Sequence, residues 1–199
     1  VLVHAWEEWG DTCVERFRGM FAFAIWDRNQ STLFLARDRL GIKPLYSSLL
    51  SDGPLLFGSE LKSILEHPAV ERSLSHEAID DYLCFGVVPG NRCIFDKFEK
   101  LPAAHTLIVQ SDSILTASPK RYWQYQAEVD DSLSLDEWLE QVEHKIEETV
   151  KAHQIADVPV GAFLSGGVDS SVMVEIMSRQ YGGKLKTFSI GFQEEAFSE

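Results

Sequence analysis

Between Pro159 and Ser171 the chain reads Pro-Val-Gly-Ala-Phe-Leu-Ser-Gly-Gly-Val-Asp-Ser-Ser, an apolar run that stops at a serine and two glycines. A helical pattern follows at once, and this junction constrains the fold more than any other stretch. Gly166 and Gly167 are free to take positive φ and to let the backbone approach a ligand closely. The N–H groups that open the next helix have no intrahelical partners and carry the positive end of its dipole. With the hydroxyls of Ser165, Ser170 and Ser171 they make an anion cradle. The loop is not a Walker A sequence, because no Gly-Lys-Ser/Thr follows the glycines and Asp169 stands where the lysine belongs. A carboxylate beside phosphates is explained by a shared Mg²⁺, an ion that favours a carboxylate together with phosphate oxygens. The plainer alternative is a Gly-Gly turn with Asp169 and Ser170 capping a helix.

The surroundings frame this loop. Ser134-Leu135-Asp136-Glu137 is a capping box, and Trp138, Leu139, Val142, Ile146 and Val150 form one apolar helical face behind it. A strand is expected over Val160 to Leu164. The helix after the loop packs through Val172, Met173, Ile176 and Met177 and stops at Gly182-Gly183, and Leu185 to Gly191 is a second strand. Strand, loop, helix and strand over about 30 residues is a βαβ unit, which closes right-handed with parallel strands. Ligands of such sheets sit beyond the carboxyl ends of the strands. Leu164 and Ile190 then flank one crevice, with Ser165 to Ser170 at its floor.

The upstream part has a different texture. Leu2, Ala5, Trp6 and Trp9 sit at helical spacing up to Gly10, and Thr12 to Phe17 forms a second short helix. Met20 to Trp26 runs apolar without a break and is expected to be a strand covered on both faces. Thr32 to Ala36 returns as its partner, and Leu45 to Leu50 pairs with Leu55 to Gly58. Ser75 caps a helix whose packing residues are Ala78, Ile79, Tyr82 and Leu83. Val87 to Ala104 is irregular, and a hairpin follows with arms His105 to Val109 and Leu115 to Trp123. Arg37, Asp38, Arg39 and Lys43 are the dense charged cluster of this part, read as a turn braced by local ion pairs. The polar stretch Gln124 to Ser132 separates two domains, 1–125 and 126–199.

Bulk properties narrow the function classes. A net charge of −13 argues against nucleic acid as the main partner, and no apolar run reaches the length of a membrane span. Cys13, Cys84 and Cys93 are odd in number and read as buried free thiols in a reducing compartment, hence a cytoplasmic protein. His76-Glu77 begins like a zinc-protease motif, but Asp80 occupies the place of its second histidine. The chain opens inside an apolar-periodic segment and closes just after a strand-like run, as expected of a piece of a longer protein.

The Ser-Gly-Gly-Val-Asp-Ser string resembles the pyrophosphate loop of ATP pyrophosphatases. Read with Gly19 to Asp27, Ala36 to Tyr46, Ser59 to Lys62, Tyr82-Leu83, Gly86 to Pro89, Lys100 to Pro102, Tyr122-Trp123 and Thr187 to Gly191, it resembles glutamine-hydrolysing asparagine synthetase along essentially the whole chain. The resemblance implies an α+β N-terminal-nucleophile glutaminase domain, an αββα sandwich present here in part. An α/β ATP-pyrophosphatase domain, also in part, follows it. It implies glutamine, aspartate and ATP as substrates, Mg²⁺ as cofactor, and a homodimer with neither nucleic acid nor membrane as partner. Carried over by position, Ser165, Gly166, Gly167, Asp169 and Ser170 hold pyrophosphate, with Asp169 on the Mg²⁺. Leu164 and Ile190 meet the adenine through backbone groups. No catalytic residue is assigned, because the family's nucleophile is an N-terminal cysteine and this chain starts with Val1, so the chain by itself is expected to hydrolyse no glutamine and to make no asparagine. Leu40, where the family usually has Phe, and Ser47, where it often has Tyr, depart mildly from its pattern. Two alternatives stand beside this one: a relative that amidates another carboxylate, and a non-catalytic nucleotide-binding or dimerising module.

Overall fold

A computed structural model describes residues 1–191 of the chain except 52, 111–113, 115 and 130. It divides into two units, Val1–Gln126 and Ala127–Glu199. The first opens with helix α1 (Leu2–Trp9), which ends at Gly10 with φ 58°, and a 3₁₀ helix over Gly10–Arg16. Strands β1 (Ala22–Asp27) and β2 (Thr32–Arg37) form a hairpin, and β3 (Tyr46–Leu49) and β4 (Leu55–Gly58) form another. Helices α2 (Leu61–Leu65) and α3 (His76–Phe85) precede β5 (Glu99–Lys100), β6 (His105–Gln110) and β7 (Lys120–Arg121). All pairings here are antiparallel, in the orders β1-β2-β6-β7 and β4-β3-β5.

Alternation along β2 sorts this unit into layers, since successive side chains leave a strand on opposite faces. Phe34 and Ala36 meet Ala5 of α1 and Cys13 and Val14 of the 3₁₀ helix. Leu33 and Leu35 face the other way, where Leu107 and Val109 of β6 join Leu45, Leu55 and Leu101 between the two sheets. On the far side of the second sheet Tyr46 and Leu56 pack with Ile64 of α2, Cys93 and Phe98. Helix, sheet, sheet and helix therefore stack in that order. Each buried leucine or phenylalanine contributes about 2–3 kcal/mol by leaving water.

Several expectations change. The β1 strand is an edge, not a strand covered on both faces: Phe23 and Ile25 pack inward, while Ala24 and Trp26 are exposed. Ser75 does cap α3, accepting the Ala78 N–H at 3.3 Å, yet only Ala78 is buried on that helix, and Tyr82 and Leu83 lie open. The second arm of the last hairpin shrinks to Lys120–Arg121, with Leu115 outside the described residues.

The second unit holds α4 (Leu135–His153), β8 (Gly161–Phe163), α5 (Val168–Gln180) and β9 (Lys186–Phe188). The capping box is complete: Ser134 Oγ accepts the Glu137 N–H, and the Glu137 carboxylate accepts the Ser134 N–H at 2.8 Å. The Gln180 side chain ties α5 to α4 by donating to Glu147 O at 3.0 Å. β8 and β9 are parallel, in the register Gly161↔Lys186 to Phe163↔Phe188, as the βαβ reading requires.

The charged turn of the first unit is braced by the backbone, not by ion pairs. Among the described residues no ion pair joins Arg37, Asp38, Arg39 and Lys43. Asp38 is 1% exposed, and its carboxylate accepts the N–H groups of Phe21, Leu40, Ile42 and Lys43. The Arg37 guanidinium donates to Gly41 O, Lys43 O and Leu101 O, and Tyr122 Oη donates to Arg37 O. Burial pushes the Tyr122 phenol up to about 12, so it stays a donor. Burial alone would raise the Asp38 carboxyl, but the N–H groups of Lys43, Ile42, Phe21 and Leu40 outweigh it and hold the group below the usual carboxylate range.

A carboxyl depressed by folding adds stability that is present above its unfolded pKa of about 3.9 and lost as pH falls through its folded value. Asp38→Ala strands the donors and is expected to cost about 3–4 kcal/mol at pH 7. Asp38→Asn is expected to cost less and to flatten the acid limb of stability against pH below about 4. Urea unfolding across pH checks both.

Candidate functional site

The β8 ladder runs one residue beyond the strand, with the Leu164 N–H donating to Phe188 O at 2.9 Å. The chain then turns sharply. Gly166 takes φ 93°, a region that side chains with a Cβ rarely adopt, whereas Gly167 sits at φ −70° and serves as N-cap of α5. Only one of the two glycines uses the conformational freedom that the pair offered.

The serines of the loop bind one another. Ser165 Oγ lies 3.1 Å from Ser170 Oγ and accepts the Gly167 N–H at 3.4 Å. Ser170 Oγ accepts the Ser165 N–H at 3.3 Å. The hydroxyls of Ser170 and Ser171, both expected as donors to an anion, turn back and donate to Gly167 O, at 3.1 and 2.8 Å. This network draws Ser165, Gly166, Gly167 and Ser170 into one loop. The N–H groups of Gly166, Val168, Asp169 and Ser170 have no hydrogen-bond partner among the described residues. They open a helix whose dipole favours an anion at this end.

Asp169 sits in the first turn of α5, exposed, without a hydrogen bond or ion pair among the described residues. It is not the cap; that position belongs to Gly167, so the alternative in which Asp169 caps the helix does not describe this junction. Among the described residues no group of three or more His, Cys, Asp or Glu side chains gathers to hold a metal. A Mg²⁺ here would therefore rest on Asp169 and phosphate oxygens, a donor set that suits this ion.

Leu164 and Ile190 lie where two parallel strands end, and Ser189 ties the two strand ends together. Its Oγ donates to Leu164 O at 2.6 Å. Sequence reasoning did not single out Ser189; the signal was a hydroxyl one position before Ile190, legible only once the register was known. The cysteines take no part. Burial pushes the Cys93 thiol up to about 11 and also raises that of Cys13, but Cys84, expected to be buried with them, is exposed on α3, a helix that buries only Ala78. Neither buried thiol is disposed to act as a nucleophile.

Comparison with known proteins accounts for both units. Residues 1–123 match the family model described as glutamine amidotransferase domain, and residues 141–199 match the one described as asparagine synthase. The chain is 36% identical over 200 residues to asparagine synthetase [glutamine-hydrolyzing] 3 of Bacillus subtilis, covering 98% of this chain and 32% of that protein. It is 34% identical to asparagine synthetase [glutamine-hydrolyzing] 1 of the same organism, over 100% of this chain and 30% of the relative. Against a putative asparagine synthetase [glutamine-hydrolyzing] 2 of Methanocaldococcus jannaschii it is 35% identical, over 97% and 38%. The chain spans about a third of the length of these relatives.

The root of the loop depends on a glycine. A Cβ on Gly161 would stand 3.0 Å from Lys186 O and 2.8 Å from Phe188 Cε2, and the backbone oxygen cannot swing aside. Gly161→Ala is expected to destabilise the second unit by about 1–3 kcal/mol. At Gly182, where nothing lies within 4 Å, alanine is expected to change stability by no more than about 1 kcal/mol. Urea unfolding of the two variants side by side checks the contrast.

Proposed function

The chain belongs to the glutamine amidotransferase domain family, and on that footing we propose that it works as part of a glutamine-hydrolysing asparagine synthetase. In this reading glutamine is hydrolysed in the first domain, and the ammonia is used in the second. There ATP adenylates the side-chain carboxylate of aspartate, forming β-aspartyl-AMP with loss of pyrophosphate. Ammonia then attacks the activated carbonyl, AMP departs, and asparagine results. Activation is needed because a carboxylate oxygen is a poor leaving group until it is esterified to phosphate. The names of the relatives favour aspartate over another carboxylate as the acceptor.

One observation carries the reading: a strand ends in a Gly166 turn that presents unpaired N–H groups at the start of α5, within the segment that matches asparagine synthase. Ser165, Gly166, Gly167 and Ser170 would hold the pyrophosphate of ATP, and Asp169 would hold Mg²⁺. When bound, that ion would offset the charge building on the departing pyrophosphate. Leu164 and Ile190 would flank the adenine. The helix–sheet–sheet–helix stack of the first unit fits an N-terminal-nucleophile glutaminase, and the parallel βαβ of the second fits an ATP pyrophosphatase. The same reading has the protein in the cytoplasm, as a homodimer. Among the described residues no helix is long and apolar enough to cross a membrane.

Titration with MgATP checks the site. Binding is expected in the wild type, and Asp169→Ala is expected to weaken it by about tenfold or more, as the loss of a charged ligand should. Equal affinity in the two proteins would remove Asp169 from the site.

A further inference from the structure

In a parallel ladder every second residue donates its N–H to one residue of the neighbouring strand and accepts from the residue two positions farther on. Leu164 donates to Phe188 O at 2.9 Å, so a regular continuation would bring the Ile190 N–H to Leu164 O. That bond is not made. Leu164 O is taken by Ser189 Oγ at 2.6 Å, and the Ile190 N–H has no hydrogen-bond partner among the described residues. A side-chain donor has replaced a backbone donor at the last rung. The substitution has two effects. It keeps the strand ends tied, and it leaves one backbone donor unspent at the mouth of the crevice, where Ile190 is 77% exposed.

We propose that Ser189 is a positioning residue for the nucleotide: by occupying Leu164 O it ends the β8–β9 ladder one rung early and frees the Ile190 N–H to donate to a ring nitrogen of the adenine. The inference rests on the assignment of ATP to this loop. Its chemistry is direct. A purine ring nitrogen is an acceptor without a proton, and an unpaired backbone N–H at a fixed strand end is a rigid donor that costs little ordering on binding. Were the Ile190 N–H consumed by the ladder, the strands would close by one more rung and the crevice would lose that donor.

Ser189→Ala removes the hydroxyl and leaves Leu164 O open to the Ile190 N–H, while Ser189→Thr keeps the hydroxyl. Two readouts separate the roles: amide hydrogen exchange at Ile190, followed by NMR without nucleotide, and MgATP affinity by titration. In the wild type and Ser189→Thr the Ile190 amide should exchange freely and MgATP affinity should be alike. In Ser189→Ala the amide should become protected by about tenfold or more, and MgATP should bind about tenfold more weakly, the loss of one ordinary hydrogen bond. A serine that merely braced the fold would lower stability in Ser189→Ala without protecting Ile190. Protection of Ile190 in the wild type, unchanged exchange in Ser189→Ala, or weak binding by Ser189→Thr equal to that of the alanine variant would each overturn the proposal. A wild-type protein that bound no MgATP while its Ile190 amide exchanged freely would overturn the ATP assignment instead and leave the early end of the ladder standing.

Discussion

Backbone N–H groups that the fold cannot pair with carbonyls must find another acceptor, and this chain meets that need in two ways. In the first unit the acceptor is internal. The carboxylate of Asp38, almost wholly buried, collects the N–H groups of Phe21, Leu40, Ile42 and Lys43, which no strand or helix could satisfy. Its own backbone joins in: Asp38 N–H donates to Phe21 O, and Asp38 O accepts from Gly41 and Ala104. The turn after β2 is thereby fixed to the start of β1 and to the entry of β6, the three strands around which the first sheet is built. In the second unit the unsatisfied N–H groups stay open to solvent at the start of α5. A buried acid closes one set, and an incoming phosphate suits the other.

The contrast explains why charge at the two places has different consequences. The Asp38 carboxylate is charged and desolvated, yet its donors keep it ionised, so its contribution belongs to stability. Asp169 is exposed and its side chain has no partner among the described residues, which leaves it open to share a cation with a ligand. An overall charge of −13 does not oppose ATP binding, because screening in salt confines the field of distant exposed carboxylates to about 8–10 Å. What a bound ATP would meet is the local array of N–H groups and the helix dipole.

Local features were the legible ones. Ser75 and the Ser134–Glu137 box, the two hairpins and the parallel βαβ unit all follow from residues a few positions apart, whose chemistry is visible in order along the chain. What escaped depends on partners far away in sequence. β5 is only Glu99–Lys100 and exists because β3 offers it an edge, so no pattern within 87–104 announces it. The charged turn showed its charges but not its burial, and opposite charges in a row suggest ion pairs where the structure has backbone bonds. The apolar run at β1 suggested two covered faces, yet Ala24 and Trp26 look outward from an edge strand. At the candidate site, the turn after β8 was readable from the Ser-Gly-Gly string, whereas the bond from Ser189 to Leu164 O required the register of β8 against β9.

In the proposed function ATP is cleaved between its α and β phosphates, and the loop after β8 would hold the departing pyrophosphate. Phosphorus NMR of the full synthetase that contains this chain, turning over MgATP with aspartate and glutamine, reads the cleavage position directly. AMP and pyrophosphate, formed in equal amounts with asparagine, are the expected products. ADP and inorganic phosphate would contradict the assignment of the loop and of the reaction together.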